Sequence, residues 1–193
     1  MKAIILLGTL KETGVSNTAV LAQFLSGYLE KEAIECETIK LAEHVISRGT
    51  YIKSSDDDFP SIYQKLLDSD IILFATPIWW NSHSSEIQRV IERLDEVFDI
   101  INEGKPSPLE NKFGGVIITG DSDGVEHVTG NIANFFSSLG VTIPAYGSLG
   151  VIWEGHAKGK EQTPENLLTY YEKEYAKDAE SMAKSFKKLN SKD

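Results

Sequence analysis

Three short apolar runs dominate this chain, and each ends in a polar loop that leads into a helix-like pattern. The runs are Ala3–Leu7 (AIILL), Ile71–Ala75 (IILFA) and Phe113–Thr119 (FGGVIIT). A run of 5–7 apolar residues without alternation suits a strand buried on both faces. After each loop, apolar residues recur at helical spacing. Val20, Leu21, Phe24, Leu25, Tyr28 and Leu29 form the first such stripe. Ile87, Val90, Ile91, Leu94, Val97 and Phe98 form the second, and Val125, Val128, Ile132, Phe135, Phe136 and Leu139 the third. Glu35–Leu41 alternates and reads as a further strand, and residues 145–153 carry a fifth. Pro60 opens a helix that continues through Ile62, Leu66 and Leu67. A long last helix runs from about residue 164 to 189, with Leu168, Tyr171, Tyr175, Met182 and Phe186 on one stripe. Ser16 or Asn17 caps the first helix, and Ser85 with Gln88 fits a capping box.

Alternating strands and helices imply a parallel sheet with helices on both faces. Five strands predict a three-layer, doubly wound sheet in the order 2-1-3-4-5. At 193 residues, the whole chain reads as one domain. Ligands of such sheets bind beyond the carboxyl ends of the strands, where the order reverses. That rule selects loops 8–18, 76–84 and 119–127.

Charge narrows the partners. The net charge is −10, and the excess of acid lies in residues 1–155. An acidic body repels nucleic acid and anionic membranes. The single cysteine, Cys36, rules out an internal disulfide and a cysteine-held cluster. No apolar stretch approaches the ~20 residues of a membrane span. These features predict a cytoplasmic protein.

The first loop offers Thr9, Lys11, Ser16, Asn17 and Thr18 at a helix N-terminus, where free N–H groups and the helix dipole attract anions. It has neither the Walker A pattern nor G-x-G-x-x-G, and a capped helix with a polar loop would look the same. The second loop holds Trp79 and Trp80 beside Asn81, Ser82 and His83. The two indoles are either satellite core or a flat wall for a planar ligand. The third contains Thr119, Gly120, Asp121 and Gly124, with His127 following. Asp121 and Asp123 lack the further ligands of an EF-hand, and turn formation or capping accounts for them. Together the loops suit a ligand with a phosphate at one end and a flat ring at the other, the shape of FMN.

At these residues the chain resembles the flavodoxin-like NAD(P)H-dependent FMN reductase and quinone oxidoreductase family. Gly8-Thr9-Leu10-Lys11 with Ser16-Asn17-Thr18 is similar to the family's G-S-x-R…G/S-N-T phosphate loop. Thr76-Pro77-Ile78-Trp79-Trp80-Asn81-Ser82 resembles its T-P-I-Y-W-G-S flavin loop, and Thr119–Gly124 stands where its third flavin loop falls. The likeness spans residues 3 to about 155. Lys11 stands for the usual Arg, Trp79 for Tyr and Asn81 for Gly, so bidentate phosphate contact is lost and Asn81 narrows the space beside the ring. The cysteine cluster of the iron–sulfur branch is absent from residues 42–58.

The resemblance implies FMN as cofactor, NAD(P)H as co-substrate, and transfer of a hydride through the flavin to a quinone, flavin, nitro or azo compound. Pro77, Ile78, Trp79, Trp80, Asn81 and Ser82 would line the ring, and Thr119, Gly120, Asp121 and Gly124 would cover its pyrimidine side. Trp80, His83 and His127 are the candidates for substrate contact; no protein nucleophile and no metal are called for. The family resemblance also implies a homodimer or homotetramer, with residues 153–160 as a flap over a neighbouring site. Two other readings stand beside this one. One is a flavodoxin-type electron carrier, although the first loop lacks that group's T-x-T-G-x-T. The other is an interaction module that binds no flavin.

Overall fold

The computed structural model describes residues 1–11, 13–50, 56–121, 123–153 and 162–189. Five parallel strands form one sheet: β1 (Lys2–Leu7), β2 (Glu35–Lys40), β3 (Ile71–Pro77), β4 (Phe113–Gly120) and β5 (Ser148–Ile152). Their order is β2-β1-β3-β4-β5, as the alternation of elements predicts. The continuous apolar runs are β1, β3 and β4, which lie inside the sheet and are buried along almost their whole length. β2 is an edge strand and is half exposed, which is why it alternates in sequence.

The pleat sends alternate residues to opposite faces. Ala3, Ile5 and Leu7 pack with Leu73 and Val151 against α1 (Asn17–Lys31) and α6 (Pro164–Leu189). Ile4, Leu6, Phe74 and Ile118 face the other way. There they meet α2 (Phe59–Leu67), α3 (Ser85–Arg93), α4 (Asp95–Asn102) and α5 (Val125–Ser138).

The structure departs from the sequence reading in three places. The helix expected across 85–98 is two helices, α3 and α4, because the chain leaves helical geometry at Leu94 (ψ −2°). Asp95 and Glu96 then open α4, where its dipole favours acidic groups. The cap of α3 is Ser84, whose Oγ accepts from the Ile87 N–H (3.4 Å), one residue before the predicted box. Gln88 is taken by His83 and Glu92 instead. Finally, β5 begins only at Ser148, because residues 144–147 form a turn in which Gly147 N donates to Pro144 O (2.9 Å).

The strand ends are tied to each other where the loops begin. Gly8 N donates to Ala75 O (2.8 Å), Ile78 N to Thr119 O (2.8 Å) and Trp153 N to Gly120 O (2.7 Å). Gly8 is sterically required: a Cβ there would lie 2.6 Å from both Ile87 Cγ1 and Ser84 Oγ, so only glycine lets α3 start this close to β1.

Candidate functional site

The three loops converge on one cleft of about 860 Å³ at the carboxyl edge of the sheet. Clefts of this size hold cofactor-sized ligands. Its floor is the start of α1. Ser16 caps that helix, its Oγ accepting from Ala19 N (3.3 Å). The same hydroxyl donates to Thr9 Oγ1 (2.9 Å), tying the two ends of the loop. An α-helix leaves the first N–H groups without intrahelical partners, so Asn17 and Thr18 present donors at a positive dipole end. Lys11 arches back, its Nζ donating to Val15 O (2.7 Å). It is the one cation among the described residues of the lining.

The floor is fixed to the third loop by a buried pair of hydroxyls. Thr18 Oγ1 and Thr119 Oγ1 lie 2.6 Å apart across 101 residues of chain. Each residue is about 2–3% exposed. The sequence shows both threonines but not that they meet.

The second loop is a tight hairpin. Trp79 N donates to Ser82 O (2.8 Å) and Ser82 N to Trp79 O (2.9 Å). The two residues between have positive φ, Trp80 at 47° and Asn81 at 63°, the pattern of a type I′ turn. Such turns favour Asn-Gly, so an indole at the first position is unusual. Trp79 is 51% exposed and Trp80 is 97% exposed, which removes the satellite-core reading of the pair. Both border the cleft. Gly124, with φ 107°, stands behind this hairpin; a Cβ on it would lie 2.6 Å from Asn81 Oδ1.

Of the residues singled out from sequence, Thr9, Lys11 and Ser16 to Thr18 line the cleft, as do Pro77 to Asn81 and Thr119 to Asp121. Four do not. Ser82 closes the hairpin through its backbone, and Gly124 makes room for Asn81. His83 is buried, with Nε2 2.7 Å from Gln88 Oε1, so its ring is turned to α3 rather than to a ligand. His127 is exposed on the first turn of α5, outside the lining. The proposed flap begins at Trp153, and residues 154–160 lie outside the described residues.

Leu10 and Gln162 line the cleft without having been singled out from sequence, Asp123 lies in the expected third loop but reads as a turn or capping residue, and Trp153, expected over a neighbouring site, lines this one. Trp153 was detectable, since it directly follows β5 and the residue after a strand's carboxyl end faces such a cleft. Cys36 plays no part: it lies on β2, and burial pushes its thiol up to about 11. Among the described residues, no group of three or more His, Cys, Asp or Glu is placed to hold a metal.

The donor set matches a phosphorylated, partly flat ligand. N–H groups and hydroxyls meet at one end, and two indoles border the other loop. Asn17 and Trp153 belong to the lining, and their side-chain Oδ1 and Nε1 atoms are buried with no partner among the described residues. This fold and cleft define a flavodoxin-like α/β protein of the flavin-binding type. The chain belongs to the NADPH-dependent FMN reductase family, whose model matches residues 1–152.

Relatives agree. The chain is 30% identical over 168 residues to the 8-demethyl-8-aminoriboflavin-5'-phosphate synthase of Streptomyces davaonensis, covering 81% of this chain and 65% of that protein. It is 31% identical over 163 residues to the divalent metal cation transporter MntH of Mycobacterium bovis, covering 81% of this chain but 24% of that protein. The chain therefore spans less than two thirds of each of these relatives. Among the described residues, no helix is long and apolar enough to cross a membrane. The crystal structure of RosB with bound 8-demethyl-8-formylriboflavin-5'-phosphate superposes with a TM-score of 0.79 at 26% identity, covering 98% of this chain and 78% of that one.

Proposed function

We propose that this chain is an FMN-dependent oxidoreductase that takes electrons from NADH or NADPH and delivers them to a small-molecule acceptor. The observation that carries the reading is the Thr18–Thr119 contact (2.6 Å), which locks the anion-attracting start of α1 to the third loop beside the indole hairpin. The redox chemistry is that of the flavin, which when bound exchanges two electrons with a nicotinamide nucleotide and then with an acceptor.

The chain's own residues bind, orient and exclude water. The N–H groups of Asn17 and Thr18, with the Ser16 and Thr9 hydroxyls, hold the phosphate. Lys11 supplies a charge once it turns from Val15 O. Pro77 to Asn81 hold the ring, and Thr119 to Asp121 cover its other edge. Trp80, fully exposed at the rim, offers a flat face for the acceptor or for a second copy of the chain in a homodimer or homotetramer. A quinone, free flavin, or nitro or azo compound fits this description, and the cytoplasm is the compartment consistent with it.

A second reading has a specific observation behind it. The streptomycete synthase is named for a riboflavin phosphate and the RosB structure holds one as a bound intermediate, so a flavin phosphate in this cleft can be the substrate rather than the cofactor. The test is the visible spectrum of the purified protein with FMN, before and after anaerobic NADH or NADPH. The expected result is a bound-flavin spectrum that bleaches with one nucleotide, with chemically unchanged FMN recovered afterwards. Altered flavin would move the assignment to flavin modification, and a spectrum that does not bleach would move it to an electron carrier. Failure to bind FMN would overturn all three.

A further inference from the structure

The turn that leads into β5 lies at the amino edge of the sheet, opposite the cleft. Gly147 N donates to Pro144 O (2.9 Å), and of the two residues between them only Tyr146 has a positive φ, 62°. That is the pattern of a type II turn, whose third position is normally glycine or asparagine. A bulky side chain there is strained, yet Tyr146 is 71% exposed and buries little in return. Glycine would make the same turn without strain. Strain kept at an exposed aromatic residue points to a use for its ring.

Tyr146 borders a concavity of about 410 Å³ between this turn and the last turns of α6. It shares no lining residue with the cleft of the three loops. Its size falls in the range of small-molecule sites. Pro144 and Tyr146 supply apolar faces on one side, and Lys184 and Lys188, one turn apart on α6, supply ammonium groups on the other. The chain as a whole carries −10, but this lining contains no carboxylate. Lysines near a helix C-terminus are expected from the dipole alone. A strained, exposed aromatic ring beside them is not.

The two serines of the lining narrow the chemistry. Ser181 Oγ donates to Lys177 O (2.7 Å) and Ser185 Oγ to Met182 O (2.9 Å). Neither hydroxyl has a hydrogen left for a ligand, so a negative group falls to the two ammonium groups. Lys184 is held by Glu180 Oε1 (2.5 Å), an exposed pair that opens at little cost. We propose that this concavity binds an aromatic anion, with its flat ring against Tyr146 and Pro144 and its negative group at Lys184 and Lys188. A neutral ring gains only the first contact, and an anion without a flat ring gains only the second. The site stands apart from the flavin cleft and gives the molecule a second ligand.

The test is a titration of the isotope-labelled full chain, read by amide NMR, with and without excess FMN. Three probes are compared: 2-naphthoate, the neutral 2-naphthalenemethanol, and cyclohexanecarboxylate, which has the charge without the flat ring. Naphthoate should shift the amides of Tyr146, Gly147 and residues 184–189 saturably, whether or not FMN is present, and the other two should bind more weakly. Lys188→Gln should weaken naphthoate about threefold, and Tyr146→Gly about fivefold. Tyr146→Gly suits the turn, so it should also raise the urea midpoint, which separates loss of the ring from loss of the fold. Equal binding of either control probe would overturn the proposal, as would unchanged affinity in both variants. Naphthoate shifts that vanish when FMN is added would place the ligand in the cleft and overturn it too, and so would the absence of saturable shifts at these amides.

Discussion

Of the five non-glycine residues with positive φ among the described residues, two stand side by side at the rim of the cleft. Trp80 and Asn81 both hold left-handed backbone, and Trp80 buries almost nothing in return. A left-handed conformation costs a non-glycine residue about 1–2 kcal/mol. Asn tolerates it better than most, so the penalty falls mainly on Trp80. Trp80→Gly removes the strain and no core contact, and should raise stability by about 1 kcal/mol, read as a higher urea midpoint. If stability falls instead, the indole is packed in a way its exposure does not show. Backbone strain of this kind tends to sit where a ligand is gripped. The sequence displayed the tryptophan pair plainly, but not its exposure, since two adjacent indoles look alike on a core list and on a rim.

At the scale of elements, one buried ion pair joins α3 to the segment leading into α2. Arg93 Nη1 meets Asp57 Oδ2, with side chains only 2% and 0% exposed. Asp57 also accepts from Ser47 N and Phe59 N, and the guanidinium lies 4.6 Å over the Phe59 ring. Burial pushes the Asp57 carboxyl up, but the hydrogen bonds from Arg93, Phe59 and Ser47 and the charge of Arg93 outweigh it, and its pKa is held below the ordinary value. A carboxyl whose folded pKa is depressed adds stability above its unfolded pKa, near 3.9, and loses it as pH falls through the folded pKa. Asp57→Ala leaves Arg93 buried and unpaired, and should cost about 3–5 kcal/mol near pH 7. The penalty should shrink in acid below about pH 4. Urea unfolding at both pH values checks it, and an equal loss at both would mean packing rather than charge. Nothing local announced this pair: Asp56-Asp57-Asp58 reads as a solvated acidic run, and Arg93 as an ordinary polar position of a helix. The break at Leu94 was hidden for a related reason, since Leu94 and Val97 keep the apolar rhythm across it. By contrast β1, β3 and β4 were legible because a strand covered on both faces has no room for polar residues.

The whole molecule depends on its last helix as much as on its sheet. α6 buries Leu167, Tyr171, Met182 and Phe186 on the face shared with α1. Large buried side chains are worth roughly 2–5 kcal/mol each, against roughly 5–15 kcal/mol for a typical folded domain. A chain cut after residue 162 should therefore lose its native packing, seen as loss of near-ultraviolet circular dichroism and of cooperative urea unfolding. Retention of both would show that β1–β5 with α1–α5 suffice. The stripe of α6 was readable from sequence, whereas its link to the cleft through Tyr170 and Tyr171 was not, because that link exists only when residues 17, 153 and 170–171 meet.

That dependence also sets a calendar. All three loops are made before α6, and a ribosome releases them first. The nascent chain carries the phosphate end and the hairpin while the face behind α1 is still bare. The start of α1 is backed only once the chain has passed Phe186 and α6 has docked, so flavin binding should follow that docking rather than guide it.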